Sequence, residues 1–294
     1  MTSAAVQRVL AGTYRDLLKN QTFQAAAALS YYSMLSVFPA LILLSSIMGH
    51  IPLPGFFDDV LVAIGRVAPP GTMPMINGVL NDILGKNSNA WLSLGTLGTL
   101  WIVSSAFEEV IESLDAAYEV SDIRPFWKTR LLALGLAGMS LFFLICTIGV
   151  IVVGPKAGGW LAAKFSLSSV FVLLWPTIHW TLAVVFTVFA VAMIYLLGPN
   201  LKQRLLTTLP GAALSVVCWI GLSKLLAIYF KHFANYNRTY GALGGLMALM
   251  TWLYWVYFIL LVGGELNAEI AKERGSLPTP AVSPARRRRT DLAA

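Results

Sequence analysis

Glu108, Glu112 and Asp115 recur at i, i+4 and i+7, a spacing that puts three carboxyl groups on one helix face and turns Glu109 away from them. Glu265 and Glu269 repeat the i, i+4 interval, with Asn267 between them. Carboxyls grouped at the edge of apolar segments collect a cation or a proton at a mouth or gate, or they pair with nearby bases, here Arg124, Lys128 and Arg130. Pairing is preferred, and for residues 108–115 a solvated helical extension is the bland alternative.

A second group is built on hydroxyls. The segment from Ala25 to Gly49 carries Ser30, Tyr31, Tyr32, Ser33, Ser36 and Pro39 in its first half. Of these, Tyr32, Ser33, Ser36 and Pro39 are candidates to line a path or to form a packed polar interface. A proline at 39 removes a backbone donor and tends to free the Leu35 carbonyl for a hydroxyl, water or substrate. His179, just after Pro176, suits a proton path or a hydrogen-bonded structural role, and Lys224 suits a cation that snorkels out of an apolar segment. Asn235, Asn237 and Tyr240 precede Gly241, Gly244 and Gly245; they offer either a headgroup or solute site or a capped turn, and the glycines allow close helix approach.

Hydrolytic chemistry finds no footing. His50, His179 and His232 are scattered, and no HExxH or CxxC spacing, nucleophile elbow or phosphate loop occurs. No metal, no cofactor and no enzymatic activity is expected. Cys146 and Cys218 fall inside apolar segments, where a small packing side chain is the natural reading.

The elements that must position these groups follow from composition. The chain has 294 residues, 57% hydrophobic and 12% charged, with a mean hydropathy of +0.72, far more apolar than a soluble domain needs. Six stretches are long enough to cross a bilayer as helices: about 25–49, 91–113, 131–154, 170–197, 208–230 and 241–266. The expected fold class is all-α, a polytopic membrane protein of six transmembrane helices with short interfacial amphipathic helices. At about 1.5 Å per residue, Ser36 lies roughly 17 Å into a hydrocarbon core about 30 Å thick. By the same measure Glu108 lies about 26 Å from Trp91 and Glu265 about 36 Å from Gly241, both at the same edge of the core.

Orientation follows the basic residues. With the N-terminus inside, the inner segments hold Arg8, Arg15, Lys19, Arg124, Lys128, Arg130, Lys202, Arg204, Lys272, Arg274 and Arg286 to Arg289, fourteen in all. The outer segments hold six: Arg66, Lys86, Lys156, Lys164, Lys231 and Arg238. Both termini are therefore expected in the cytoplasm. The first 24 residues show no apolar core followed by a cleavage site, so the first span is expected to direct insertion.

Three regions result: 1–24 as a cytoplasmic interfacial segment, 25–271 as the transmembrane domain, and 272–294 as a disordered basic tail. Residues 4–20 read as an interfacial helix or a packed cap, and the 50–90 connection as two surface helices over the outer face. Pro125 precedes Phe126-Trp127-Lys128 in an interface elbow. The Arg286–Arg289 run fixes topology or binds anionic lipid, and nothing else supports nucleic acid as a partner.

Three separated runs then carry a resemblance: AAALSYYSMLSVFPALILL in the first span, SSAFEEVIESLDAAYEV followed by RPFWKTRLLAL, and YNRTYGALGGLMALMTWLYWVYFILLVGGELNAE at the end. Together, over about residues 20–272, the chain resembles the YihY/BrkB family of bacterial inner-membrane proteins. The resemblance implies six helices in the inner, or plasma, membrane with both termini cytoplasmic. Members have been labelled ribonuclease BN, for which this sequence offers no metal-ligand cluster or RNA-binding module, and others are described as serum-resistance or virulence factors. The expected function is transporter-like, moving a lipid-related or small solute. A cation/proton antiporter and a non-transporting envelope scaffold are the alternatives, and a nuclease is the least supported. The partners expected are the lipid bilayer and a small solute or lipid; a homo-oligomer stays open.

Overall fold

The computed structural model describes residues 3–50, 61, 62, 65, 73, 76–78, 89–120, 124–165, 169–232 and 242–275. Its helices are α1 (Ser3–Lys19), α2 (Thr22–His50), α3 (Asn89–Ala117), α4 (Phe126–Phe165), α5 (Ser169–Leu197), α6 (Leu205–His232) and α7 (Ala242–Glu273). Among the described residues there is no strand. Of the two surface helices expected in the 50–90 connection, residues 61, 62 and 65 of the first and 76–78 of the second are helical. Residue 73 is helical too, and 89–90 open α3; the other residues of that connection, Asn235, Asn237 and Tyr240, and the tail from residue 276 lie outside the described residues.

Among the described residues four helical stretches are long and apolar enough to cross a membrane: Phe126–Leu161, Leu174–Leu197, Leu205–Tyr229 and Gly244–Glu273. Within the most apolar part of α4 only 6% of residues are buried by protein, so Leu141, Phe142, Leu144 and Ile145 need an apolar solvent around them. The α2 and α3 helices have 29 residues each and are of comparable length.

The long helices pack in chain order, α2 on α3 through to α6 on α7, and α7 returns against α2 to close a ring. α7 also reaches α3, and α1 lies on α7 and α2. The core shared by Ala26 and Leu29 with Val110 and Leu114 sets the start of α2 beside the end of α3, and the short α3–α4 and α5–α6 connections turn those neighbours back on each other. The α1 end of the ring thus gathers the start of α2, α4 and α6 and the end of α3, α5 and α7. Its core is Ala26 and Leu29, Val110 and Leu114, Ala192, Ile194 and Tyr195, Ala212, and Leu261, drawn from five helices.

Two turns at this end use left-handed backbone without glycine. Gln21 has φ 53°, and its carbonyl accepts from Gln24 and Ala25 to open α2 sharply after α1. Glu119 has φ 54° and closes α3, with Val120 N donating back to Asp115 O in a Schellman arrangement where glycine is usual. Such a conformation costs a non-glycine residue about 1–3 kcal/mol.

α6 and α7 touch backbone to backbone. A Cβ on Gly211 would lie 2.1 Å from Gly263 O, and one on Gly263 would lie 2.1 Å from Ser215 Oγ. Gly211→Ala is therefore expected to lower unfolding stability in detergent by about 1–3 kcal/mol, because packed backbone cannot yield to the added methyl. Gly138→Ala, which meets nothing within 4 Å, should unfold at or slightly above the wild-type temperature.

Candidate functional site

At the α1 end the carboxyls and bases of three chain segments meet. Lys272 Nζ lies 2.7 Å from Asp16 Oδ2, 2.7 Å from Glu269 Oε1 and 3.6 Å from Glu119 Oε1. Lys19 donates to the same Glu119 oxygen at 2.7 Å, and Arg15 Nε to Asp16 Oδ1 at 3.2 Å. Arg8 donates to Glu273 at 2.6 Å on the exposed flank. The cluster ties α1, the end of α3 and the end of α7 into one latch. Gly12 makes room for it, since a Cβ there would lie 2.0 Å from Glu269 Oε2.

Beneath the latch sits Glu265, 2% exposed. Its Oε1 accepts from Asn20 Nδ2 at 2.8 Å, and its Oε2 is buried with no hydrogen-bond partner. The Tyr118 hydroxyl is buried in the same condition. Burial, opposed by the neighbouring Gln203 and reinforced by the Glu265 charge, pushes the Tyr118 phenol above its ordinary range. One turn beyond Gly263, Asn267 docks its amide into the first turns of α6: Gly211 N donates to Oδ1 at 2.8 Å, and Nδ2 donates to Thr208 O at 2.9 Å. Pro210 breaks the helical ladder here, and the amide serves the backbone groups around it.

The remaining sequence candidates separate. Glu108 pairs with Arg130, which also donates to Ser105 Oγ at 3.2 Å and Trp101 O at 3.1 Å and stacks 4.3 Å above the Trp101 ring. Glu112 is exposed. Asp115 is buried and accepts from Asn200 N at 2.7 Å. Arg124 donates to Gly198 O and Pro199 O at 3.1 and 3.2 Å, so the two residues together tie down the α5–α6 connection. The three acids share a helix but serve three different ends.

In α2, Ser33 Oγ meets Tyr257 OH at 2.5 Å, and Ser36 Oγ turns back to Ser33 O at 2.7 Å. Tyr32 is half-buried and Pro39 lies within the helix. A second hydroxyl seam, which spacing did not single out, joins Tyr195 OH to Ser215 Oγ at 2.9 Å and to Leu260 O at 2.5 Å. His179 is buried with Nδ1 3.0 Å from Trp175 O, packed on the α4 face at Gly154. Lys224 is exposed. Among the described residues no three His, Cys, Asp or Glu gather as a metal site. Sequence reading passed over Asp16, Asn20, Glu119 and Lys272, whose only local signal is the i, i+3 pair Glu269–Lys272.

Lys272→Met leaves Glu269 beside Asp16 without its cation, and leaves Asp16 only the exposed Arg15. It should destabilise the protein by about 3 kcal/mol in detergent unfolding and release α1 amides to hydrogen exchange. The latch also senses acid. Burial works against ionisation of Asp16, but the Lys272 ammonium, with Glu269 and Arg15 beside it, outweighs burial and holds the carboxyl below 3.8. The Lys19 hydrogen bond, against some burial and with help from Lys272, holds Glu119 below 4.5. Groups depressed by folding stabilise the fold fully above their unfolded values, and that contribution disappears as pH falls through the folded ones. The share of α1 protection that these two carboxylates supply is thus expected to be level above about pH 4.5 and to fall as pH drops below 3.8, read by amide exchange against pH in a Glu265→Gln background, where Glu265 does not titrate.

A family model described as Virulence factor BrkB matches residues 13–288. A protein of Bacillus subtilis (strain 168) named ribonuclease-like protein YfkH is 31% identical over 249 residues, 85% of this chain and 90% of that protein. A UPF0761 membrane protein of Aliivibrio fischeri (strain MJ11) is 26% identical over 262 residues, 86% of this chain and 80% of its own length. No solved structure matches the chain.

Proposed function

Because the chain belongs to the virulence factor BrkB family, we propose that it is a transporter-like protein of a bacterial inner membrane, moving a lipid-related or small solute. It crosses six times, with α2 and α3 as spans beside the four apolar stretches, and both termini are cytoplasmic. The excess of Lys and Arg on that side supports this orientation. The α1 end then faces the cytoplasm. Trp127 and Phe126, both exposed, lie at headgroup depth there.

One observation carries this reading: at the α1 end of the ring an ion-pair latch, shared by three segments, ties α1 to the ends of α3 and α7. A latch of side-chain charges on a short separate helix is suited to opening, because each ion has water as an alternative partner once α1 moves. A fully apolar plug has no such alternative. The hydroxyl seams at Ser33–Tyr257 and Tyr195–Ser215 give adjoining helix contacts a polar lining. The scaffold reading has its own observation, that Ser33 and Ser36 are bonded within the protein. The word ribonuclease belongs to the name of a relative and is not carried to this chain.

Proteoliposomes separate the three readings. Wild-type protein should accelerate transbilayer movement of fluorescent phosphatidylglycerol or leakage of a small trapped solute, and Lys272→Met should accelerate it further. Sodium or potassium flux coupled to a pH gradient, without lipid or solute movement, would identify the antiporter instead. If every flux equals that of empty vesicles, transport is refuted. Single cysteines at residues 29–40, in a chain with Cys146 and Cys218 replaced, should then resist aqueous thiol reagents.

A further inference from the structure

We propose that Glu265 is a proton-binding site: the carboxyl oxygen Oε2, buried under the latch, carries a hydrogen that exchanges with the α1 side through Asn20. The site deepens the transport reading by naming the coupling ion, but its existence does not depend on that reading.

Geometry carries the inference. Glu265 is 2% exposed, so water outside the protein does not reach it. Its Oε1 has one bond, 2.8 Å from a neutral amide donor, and its Oε2 has none. A carboxylate held by a single neutral hydrogen bond lacks the compensation that burial of a charge demands; a proton taken from hydronium on the α1 side, one O–H bond of the hydronium breaking as the Oε2–H bond forms, removes the charge and leaves water behind.

The surroundings agree from every side. The charges facing Glu265 are Asp16 on α1 and Glu269 and Lys272 on α7. Past the end of α3 stands the Tyr118 phenol, itself next to Tyr195 on α5. From the α1–α2 turn comes the neutral amide of Asn20. The one cation in that set, Lys272, has its ammonium engaged by Asp16 and Glu269, with Glu119 third. An ionised Glu265 would add a fourth carboxylate to a cluster whose cations are already engaged. A metal cation is a poor second occupant, since the Lys272 ammonium already sits among these carboxyls and no His, Cys, Asp or Glu group among the described residues could hold a metal ion.

Asn20 marks the route. It is half-exposed, lies in the turn after α1, and is the residue through which Glu265 meets the surface. Lifting α1 by opening Asp16–Lys272 would bring water to Oε2, so loading of the proton and opening of the latch share one motion.

Infrared difference spectroscopy of the full-length protein in lipid, with glutamate labelled in 13C, tests the site without any transport measurement. At neutral pH the wild type should show a protonated glutamic acid carbonyl band that shifts with the label. Glu265→Gln should abolish the band and keep the wild-type unfolding temperature, because the amide copies the shape of the neutral acid. Glu112→Gln, at an exposed position, should keep the band. Three results would overturn the proposal: no acid band in the labelled wild type, as for an ionised carboxylate held by a trapped water; a band that persists in Glu265→Gln; or a band that vanishes on adding sodium, which would make the occupant a metal cation. Flux in vesicles with no acid band would retain the transporter and discard the proton; a band without flux would do the reverse.

Discussion

The missing side chains at Gly211 and Gly263 let α6 and α7 meet at backbone distance, and the placement of polar groups at the α1 end follows from that contact. With the crossing fixed at Gly263, Asn267 one turn later is in reach of Gly211 N and Thr208 O, and Ser215 falls beside the Tyr195 hydroxyl. Glu265 then faces inward and Glu269 toward Gly12 of α1. Any wider crossing would leave the Asn267 amide and two backbone groups of α6 buried without partners, at about 1–3 kcal/mol for each. A steric allowance of one methyl per helix thus sets an electrostatic arrangement several turns long.

The energetics divide by depth. In the membrane-facing layers the apolar surfaces of α4 and α5 gain little from one another that lipid does not also offer, so tight packing and hydrogen bonds must specify which helix touches which. The Trp175 indole donating to Gly154 O at 2.6 Å, and the paired hydroxyls of Ser33 and Tyr257, are contacts of that kind. Toward the α1 end ionic contacts take over. They are salt-sensitive at Arg8 and Lys19, which are largely exposed, and much less so at Asp16, whose side chain is 2% exposed.

Much of the framework was legible in the residues. Apolar runs marked the long helices to within a few positions at most ends; the structure starts α2 at Thr22 where hydropathy suggested 25, runs α4 from Phe126 to Phe165 where it suggested 131–154, and carries α7 to Glu273 because the acids and Lys272 continue its helical turns beyond the apolar stretch. The spacing of Glu108, Glu112 and Asp115 predicted a shared helix but not their separate partners, since those come from α4 and the α5–α6 connection and no local pattern encodes them. The latch was illegible for the same reason in stronger form: Asp16 and Lys272 are 256 residues apart in the chain. A buried carboxyl with one bonded oxygen is likewise a property of packing, and Glu265 reads in sequence like any acid at the end of a span.

The left-handed turns at Gln21 and Glu119 give this end of the molecule a mechanical character. Both angles, 53° and 54°, are held by neighbours and not by the residues' own preference. Each turn therefore acts as a preloaded spring that the ionic contacts of Lys19 and Lys272 keep compressed. A catch loaded in this way does not loosen by degrees. Once one charge pair parts, relief of the turn's backbone strain works in the same direction as the lost ion pair.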